Sequence, residues 1–405
     1  REMFEANKPK PQATRVESTL DLTAGALPAE LKGKASFLAE WKGFLNPTET
    51  GDYLLGIRSN GFSQVRVNTE DLVRQFGGNA TNSKLGRIHL EKGEKIALDV
   101  TYGARDQKNP IAQLVWTKVD NTPSPEAVEA AKNADVVIAA VGLTCELEGE
   151  EMPVHEPGFL GGDRTSIDLP QPEQNLLRAV AATGKPLVVV LMNGSALAVN
   201  WANQHANAIL ESWYSGEEGG AAIADTLSGK NNPAGRLPVT FYKSVNQLPH
   251  FEDYSMENRT YRYFTGKPLY PFGYGLSYTT FAYSDLHVPQ APVNAGDPVD
   301  ADVKVTNTGK VAGDEVVQLY LKFPPVAGAP HIALRGFQRI HLEPGASQNV
   351  HFELKKRDLG MVTENGDPII AGGDYTIGIG GGQPDTGAPA ASGHFQINGR
   401  VALPE

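Results

Sequence analysis

Glu146, Glu148, Glu150, Glu151 and Glu156 lie close together in the chain, and Gly149, Pro153, Pro157 and Gly158 among them break any helix that would spread them apart. Carboxylates this crowded repel one another unless cations, ligand hydroxyls or water oppose them, and the repulsion raises carboxyl pKa values. A carboxylic acid that keeps its proton near neutral pH is a general acid, so the chemistry on offer is proton donation to a leaving group. Composition alone leaves two other readings open. The stretch can be a solvated acidic loop, or Glu151, His155 and Asp163 can form a divalent-cation site, although no His-Glu-x-x-His or EF-hand spacing supports the latter.

Such a loop needs rigid elements on either side. The run Val136-Val137-Ile138-Ala139-Ala140-Val141 precedes it, a helix is expected over Pro172–Thr183 with Gly184 as its stop, and strands follow at Leu187–Met192 and Ala208–Leu210 before a helix over Gly219–Leu227. Continuous apolar strands alternating with helices predict a mostly parallel sheet covered on both faces, with ligand groups on the loops that leave the carboxyl ends of its strands. The long loop from Gly142 to Arg164 is one of these. Ser124 as a cap and Pro125 in a first turn start a helix running to about Asn133, which sets a domain boundary near residue 122.

Before that boundary, short alternating runs such as Tyr53–Ile57, Val65–Val67 and Lys95–Tyr102 are punctuated by Gly51, Gly61, Gly86, Gly93 and Gly103, the pattern of an antiparallel β-sandwich. Trp41 and Trp116 are expected in its core, and Phe62 on a loop as a ligand contact. From about Pro289 the alternation returns, at Val299–Val305, Glu315–Leu321 and Asp374–Ile379, with turns at Asn307-Thr308-Gly309 and Glu343-Pro344-Gly345. The expected organisation is therefore a multidomain α/β plus all-β chain: a β-sandwich over 1–121, an α/β sandwich domain over 122–285 carrying the acidic loop, and a second sandwich over 286–405.

Several motifs occur in one order. Glu146-Leu147-Glu148-Gly149 is followed by Asp163-Arg164, then Trp213-Tyr214-Ser215-Gly216-Glu217-Glu218-Gly219-Gly220, Asn232-Pro233-Ala234-Gly235-Arg236-Leu237-Pro238, and Tyr270-Pro271-Phe272-Gly273-Tyr274-Gly275-Leu276-Ser277-Tyr278-Thr279. Together they resemble the C-terminal portion of glycoside hydrolase family 3 enzymes of the β-glucosidase and β-xylosidase type. The first sandwich resembles an inserted protective-antigen-type module and the last a fibronectin type III domain. The resemblance implies a retaining, exo-acting β-glycosidase that removes terminal β-linked glucose, or xylose, from oligosaccharides, without cofactor or metal. Glu148 falls where the family has its general acid/base. Glu146 and Glu150 are then substrate contacts, and Asp163 and Arg164 anchor the loop by an ion pair. Extra residues between Gly149 and Asp163, Glu150 and Glu151 among them, leave both as competitors for the catalytic role. The family's aspartate nucleophile lies in an N-terminal (β/α)8 barrel, and no Ser-Asp-Trp nucleophile motif occurs here. The expected partners are thus a β-glycoside and the barrel portion of the same enzyme, as a longer or separate chain, and these residues alone are expected to be inert.

Bulk properties narrow the alternatives. The formal charge of -11 argues against nucleic acid and anionic lipid, which require basic patches. No stretch approaches the ~20 apolar residues that span a bilayer, and the single cysteine, Cys145, permits neither an intrachain disulfide nor a thiolate cage. The opening Arg1-Glu2-Met3-Phe4 has no signal segment, so the chain is expected to start after processing or within a longer protein; a periplasmic or secreted location is expected. A non-catalytic carbohydrate-binding protein is the main rival, and it has no need of crowded carboxylates. A nucleotide-dependent enzyme fails on sequence, because neither a Gly-x-Gly-x-x-Gly after Val141 nor a Gly-Lys-Ser/Thr loop is present.

Overall fold

The computed structural model describes residues 11–404 apart from 24–26, 35, 79, 153 and 155, so His155 and the opening Arg1–Phe4 lie outside the described residues. The chain is mostly sheet with few helices. It packs as two compact units, one formed by the residues up to Ala130 with Leu143–Ser166 and Pro170–Ala179, the other by Ala131–Gly142, Ile167–Leu169 and the residues from Val180 onward.

The first unit is built on strands β1 (Asp21–Leu22), β2 (Phe37–Leu45), β3 (Gly51–Asn60), β4 (Phe62–Val67), β5 (Glu70–Gln75), β6 (Asn82–Leu90), β7 (Ile96–Ala104) and β8 (Ile111–Lys118). They form two antiparallel sheets, ordered β1-β8-β3-β6 and β2-β7-β4-β5. The period of two along each strand sends alternate side chains inward, so Tyr53, Leu55 and Ile57 of β3 share one core with Val65 of β4 and Val100 and Tyr102 of β7. Fully buried Tyr102 donates its hydroxyl to Asn60 Oδ1 at 3.1 Å, and burial pushes its phenol up to about 12. Asn60 also accepts the Ile111 N–H at 2.7 Å and donates to the Asn109 carbonyl at 2.8 Å.

These bonds hold β3 against β8 to its last residue, which leaves Gly61 (φ 103°) alone to reverse the chain. Phe62, expected on a loop, is consequently the first residue of β4, paired with Gly103. Its ring takes the space beside Gly103, where an added Cβ would stand 3.5 Å from the Phe62 Cβ. Trp41 packs against the core as expected, whereas Trp116 is 40% exposed and stacks on Tyr53 with ring centroids 5.2 Å apart.

Helix α1 (Pro125–Asn133) is capped as the sequence suggests, with Ser124 Oγ accepting the Ala127 N–H at 3.3 Å. Strand β9 (Val137–Gly142) belongs to the second unit, after which the chain returns to the first for the acidic loop and a short hairpin, β10 (Phe159–Leu160) and β11 (Asp163–Arg164). Helix α2 (Gln171–Ala181) follows, then β12 (Leu187–Met192), α3 (Asn200–His205), β13 (Ala208–Glu211) and α4 (Gly219–Leu227). The sequence did not signal α3, a short helix whose N-cap position is Val199, with no side chain to bond the free N–H groups.

Strands β9, β12 and β13 form a parallel sheet in the order β13-β12-β9. Cover on both faces was expected, but β9 is an edge strand whose Ile138 is 58% exposed with Ala140 exposed beside it. Val136, just before β9, is also exposed.

A short helix, α5 (Thr260–Tyr263), precedes the terminal sandwich. Its strands are β14 (Phe281–His287), β15 (Val293–Asn294), β16 (Val299–Asn307), β17 (Gly313–Lys322), β18 (Ala333–Leu342), β19 (Ser347–Leu354), β20 (Met361–Val362), β21 (Pro368–Ile370), β22 (Gly373–Gly380), β23 (Ala390–Asn398) and β24 (Val401–Ala402). The main sheets run β14-β16-β19 and β15-β23-β22-β17-β18, with β20-β21-β24 as a small third. Alternate residues Val299, Ala301, Val303 and Val305 of β16 enter one core with Leu319, Leu321, Tyr375 and Ile377.

The segment before this sandwich is bonded to it. The Leu334 N–H donates to the Tyr261 hydroxyl at 3.0 Å, and Gln318 donates to the Gly273 carbonyl at 3.0 Å and the Gly381 carbonyl at 3.2 Å. Arg236 donates through Nη2 to both oxygens of Glu315, at 3.1 and 3.2 Å, and through Nε to the Gly381 carbonyl at 3.1 Å. The two side chains are only 9% and 3% exposed. Burial pushes the Glu315 carboxyl up and the Arg236 charge opposes that shift. Glu315→Ala leaves a buried guanidinium without its partner and is expected to lower the unfolding free energy in urea by about 3–5 kcal/mol. Joint Arg236→Met and Glu315→Leu replacement should recover most of that loss; a double variant as unstable as the single one would show the two charges to be uncoupled.

Candidate active site

The acidic loop is held by its own backbone. The N–H groups of Leu147 and Glu148 both donate to the Thr144 carbonyl at 3.0 Å, closing a tight turn that ends at Gly149. Further on, Phe159 pairs with Arg164 and Leu160 with Asp163 across a two-residue turn, Gly161 and Gly162, both at positive φ (61° and 94°), the geometry that suits the twist of a hairpin. This turn lies directly on the earlier one. An added Cβ on Gly162 would stand 1.8 Å from the Gly149 carbonyl oxygen, and Met152 N–H donates to the Gly161 carbonyl at 2.8 Å.

The close approach brings two separated motifs together. Arg164 Nη1 stands 3.6 Å from Glu148 Oε1, with the side chains 11% and 14% exposed. Arg164 is itself fixed, donating from Nε to the Ser166 carbonyl at 2.8 Å and lying 5.2 Å over the Phe159 ring. The expected Asp163–Arg164 pair does not form among the described residues. Successive strand residues face opposite ways, so Arg164 turns in to Glu148 while Asp163 is exposed.

The other glutamates are distributed differently. Glu146 is 71% exposed with Lys84 at 3.9 Å, and Glu156 meets Arg87 at 3.4 Å. Arg87, 12% exposed, also holds Asp52 at 2.7 Å; that bond, with one from His89, keeps the Asp52 carboxyl below its ordinary range. Three of the five loop glutamates therefore face a cation, which relieves the crowding read from the sequence. Glu150 and Glu151 are exposed, the latter at φ 49°. Glu148 is the most sheltered of the five. Phe62 stands at the head of β4 and is not part of this loop. No group of three or more His, Cys, Asp or Glu among the described residues is arranged to hold a metal ion.

One carboxylate was missed. Glu211 ends β13, at the carboxyl edge of the parallel sheet, where it accepts the Trp213 N–H at 3.1 Å and an Asn193 Nδ2 hydrogen at 3.4 Å. Burial pushes its carboxyl up to about 7, and these two donors only partly oppose the shift. Asn193 is fully buried and its Oδ1 has no partner among the described residues. Trp213 sits at φ 55°, a conformation a bulky residue rarely adopts. The available signal was a charged residue immediately after an apolar strand of a parallel sheet.

Gly162→Ala would drive the hairpin off Gly149, so amide exchange across residues 144–166 should accelerate while the sandwich strands keep their protection; unchanged exchange in the loop would show that the contact does not hold it. Glu211 generates a second expectation. Its pKa is raised on folding from 4.5 to about 7, so the folded state holds the proton more tightly. The associated stability is complete below about pH 4.5 and is lost as pH rises through about 7, at most about 3 kcal/mol. Glu211→Gln should flatten the melting temperature across that window, and a parallel decline in both proteins would assign the pH dependence elsewhere.

The chain resembles known proteins along most of its length. The model of the glycosyl hydrolase family 3 C-terminal domain matches residues 22–278, and that of the fibronectin type III-like domain matches residues 315–383. A xylan 1,4-β-xylosidase of Xylanibacter ruminicola is 38% identical over 323 residues, covering 80% of this chain and 37% of that protein. A periplasmic β-glucosidase of Salmonella typhimurium is 46% identical over 242 residues, covering 56% of this chain and 30% of its own. Among solved structures, a β-glucosidase from Kluyveromyces marxianus in complex with glucose aligns with a TM-score of 0.63 at 29% identity, over 91% of this chain and 45% of the other. The chain thus spans about a third to under half the length of these relatives. It belongs to glycoside hydrolase family 3, carrying that family's C-terminal domain followed by a fibronectin type III-like domain.

Proposed function

We propose that these residues are the acid/base-bearing part of a retaining, exo-acting β-glycosidase that releases terminal β-linked glucose from oligosaccharides or glucosides, with Glu148 as the general acid/base. The observation that carries the reading is the placement of Glu148: sheltered, on the long loop leaving β9, and fixed by Arg164 and by the Gly149–Gly162 contact. In the first step an aspartate, supplied by a barrel outside these 405 residues, bonds to the anomeric carbon. The glycosidic C–O bond breaks as Glu148 gives its proton to the leaving oxygen. Water then bonds to the same carbon, returning its proton to Glu148 and releasing the aspartate. Retention requires the two carboxyl groups roughly 5–5.5 Å apart. Arg164 faces the carboxylate that remains after each proton departs and keeps it aimed. Exposed Glu146 and Glu150 are available to sugar hydroxyls, Phe62 is a candidate aromatic contact, and Asp163 and Arg164 end the hairpin that anchors the loop.

The need for further polypeptide is supported by the uncovered apolar residues of β9 and by the greater length of the relatives. A periplasmic or secreted location is supported by the relative named as periplasmic; no helix among the described residues is long and apolar enough to cross a membrane. A β-xylosidase of the same family is the second reading, favoured by the match to a xylan 1,4-β-xylosidase.

With the barrel portion present, Glu148→Gln is expected to lower kcat/KM on β-linked disaccharides by about 10²–10⁴-fold. The loss should be smaller for the bond-breaking step of nitrophenyl β-glucoside or β-xyloside, since nitrophenolate leaves without a proton. Glu150→Gln and Glu151→Gln should retain turnover. Full activity in Glu148→Gln with loss in either of the others would reassign the acid/base, and binding without hydrolysis in the unsubstituted protein would favour a non-catalytic sugar binder.

A further inference from the structure

We propose that the segment Asn246–Gly266 is a binding platform for a neutral oligosaccharide. The segment contains one irregular loop that is braced by hydrogen bonds. Arg259 donates from Nε to the Ser255 carbonyl at 3.0 Å and from Nη2 to the carbonyls of His250, at 3.2 Å, and Asp253. Asp253 Oδ1 accepts the Ser255 N–H at 2.8 Å, Asn258 donates to the Gln247 carbonyl at 3.3 Å, and the Thr260 N–H bonds to the Tyr242 hydroxyl at 3.0 Å.

On this fixed loop Phe251 and Tyr254 stand 89% and 91% exposed. An isolated exposed apolar residue requires no explanation, but two almost fully solvated aromatic rings three positions apart on an internally tied loop are an ordered apolar surface with nothing described against it. Interleaved with them in sequence are the walls of an open cleft of about 420 Å³, among them Asn246, Asp253, Glu257 and Phe264. The backbone N–H and hydroxyl of Ser255 keep the Asp253 carboxyl below its ordinary range, so it stands as a charged acceptor at neutral pH.

Exposed aromatic rings on the same loop as carboxylate acceptors suit a pyranose, whose ring presents a C–H face for stacking and hydroxyls that donate. The same carboxylates repel phosphate, sulfate and uronate groups, which restricts the ligand to neutral glycans. The exposed positions of β9 differ, being aliphatic and on the edge of a regular sheet, as suits cover by more polypeptide.

The choice of ligand rests on the glycosidase reading, but binding is measured without turnover. Isothermal titration of the 405-residue chain with cellohexaose and xylohexaose is expected to show binding to at least one of them. Phe251→Ala with Tyr254→Ala should weaken it by about tenfold or more, the scale of lost aromatic contacts. Both rings lie in solvent, so the variant should keep the melting temperature of the parent. Glu148→Gln should leave the titration unchanged, which separates this surface from the acid/base loop. No binding by the parent, or equal binding by the double variant, would overturn the proposal. So would a double variant that loses association with the barrel portion while neither glycan binds the parent. Turnover that survives Glu148→Gln would sink the catalytic assignment and leave the titration result standing.

Discussion

The acidic loop depends on one backbone contact, that of Gly162 on the carbonyl of Gly149, where a side chain on Gly162 would have to occupy the position of the oxygen. With the hairpin tip seated there, Arg164 arrives beside Glu148 and the remaining glutamates fall outward or onto Lys84 and Arg87. Placement of the sheltered carboxylate is therefore a consequence of two glycines.

Charge compensation in sheltered places recurs through the molecule, with different outcomes. Arg236 and Glu315 are both deeply buried and satisfied, and they tie the Asn232–Pro238 motif to the terminal sandwich. Such a pair adds little net stability over apolar residues of similar size, but it penalises any arrangement in which one charge is left alone. Glu211 is the opposite case, half-buried with an amide and a backbone N–H to meet it among the described residues, and burial raises its pKa. Its position at the carboxyl edge of a parallel sheet, next to the strained Trp213, joins a titratable group to a constrained backbone in the second unit.

Exposed apolar surface in this chain takes two physical forms. Along β9 it is aliphatic and lies on the uncovered face of an edge strand, the kind of surface that further polypeptide can cover. At Phe251 and Tyr254 it is aromatic and lies on an irregular loop that also carries acidic acceptors, the kind of surface that small polar ligands with a C–H face can use. The Leu334 N–H donates to the Tyr261 hydroxyl at 3.0 Å and the His331 N–H to the Arg262 carbonyl at 2.8 Å, which ties the end of that second segment to the terminal sandwich.

The sequence by itself determined the alternating strands of both sandwiches, the parallel strands at 187–192 and 208–210, the helix over 219–227 and the ordered motifs that identify the family, because each depends on local periodicity or on residues adjacent in the chain. It also singled out Glu148 and Arg164, but paired the arginine with its neighbour Asp163. Only the tertiary structure decided that pairing, since the alternation of a two-residue strand and the seating of its turn on Gly149 are not encoded in spacing. The same holds for Phe62, drawn into a strand by the bonds of Asn60 across the sheet, and for Glu211, whose chemistry comes from burial beside Asn193. Composition reports which charges a chain carries, whereas their partners and solvation are set by residues far away in the sequence.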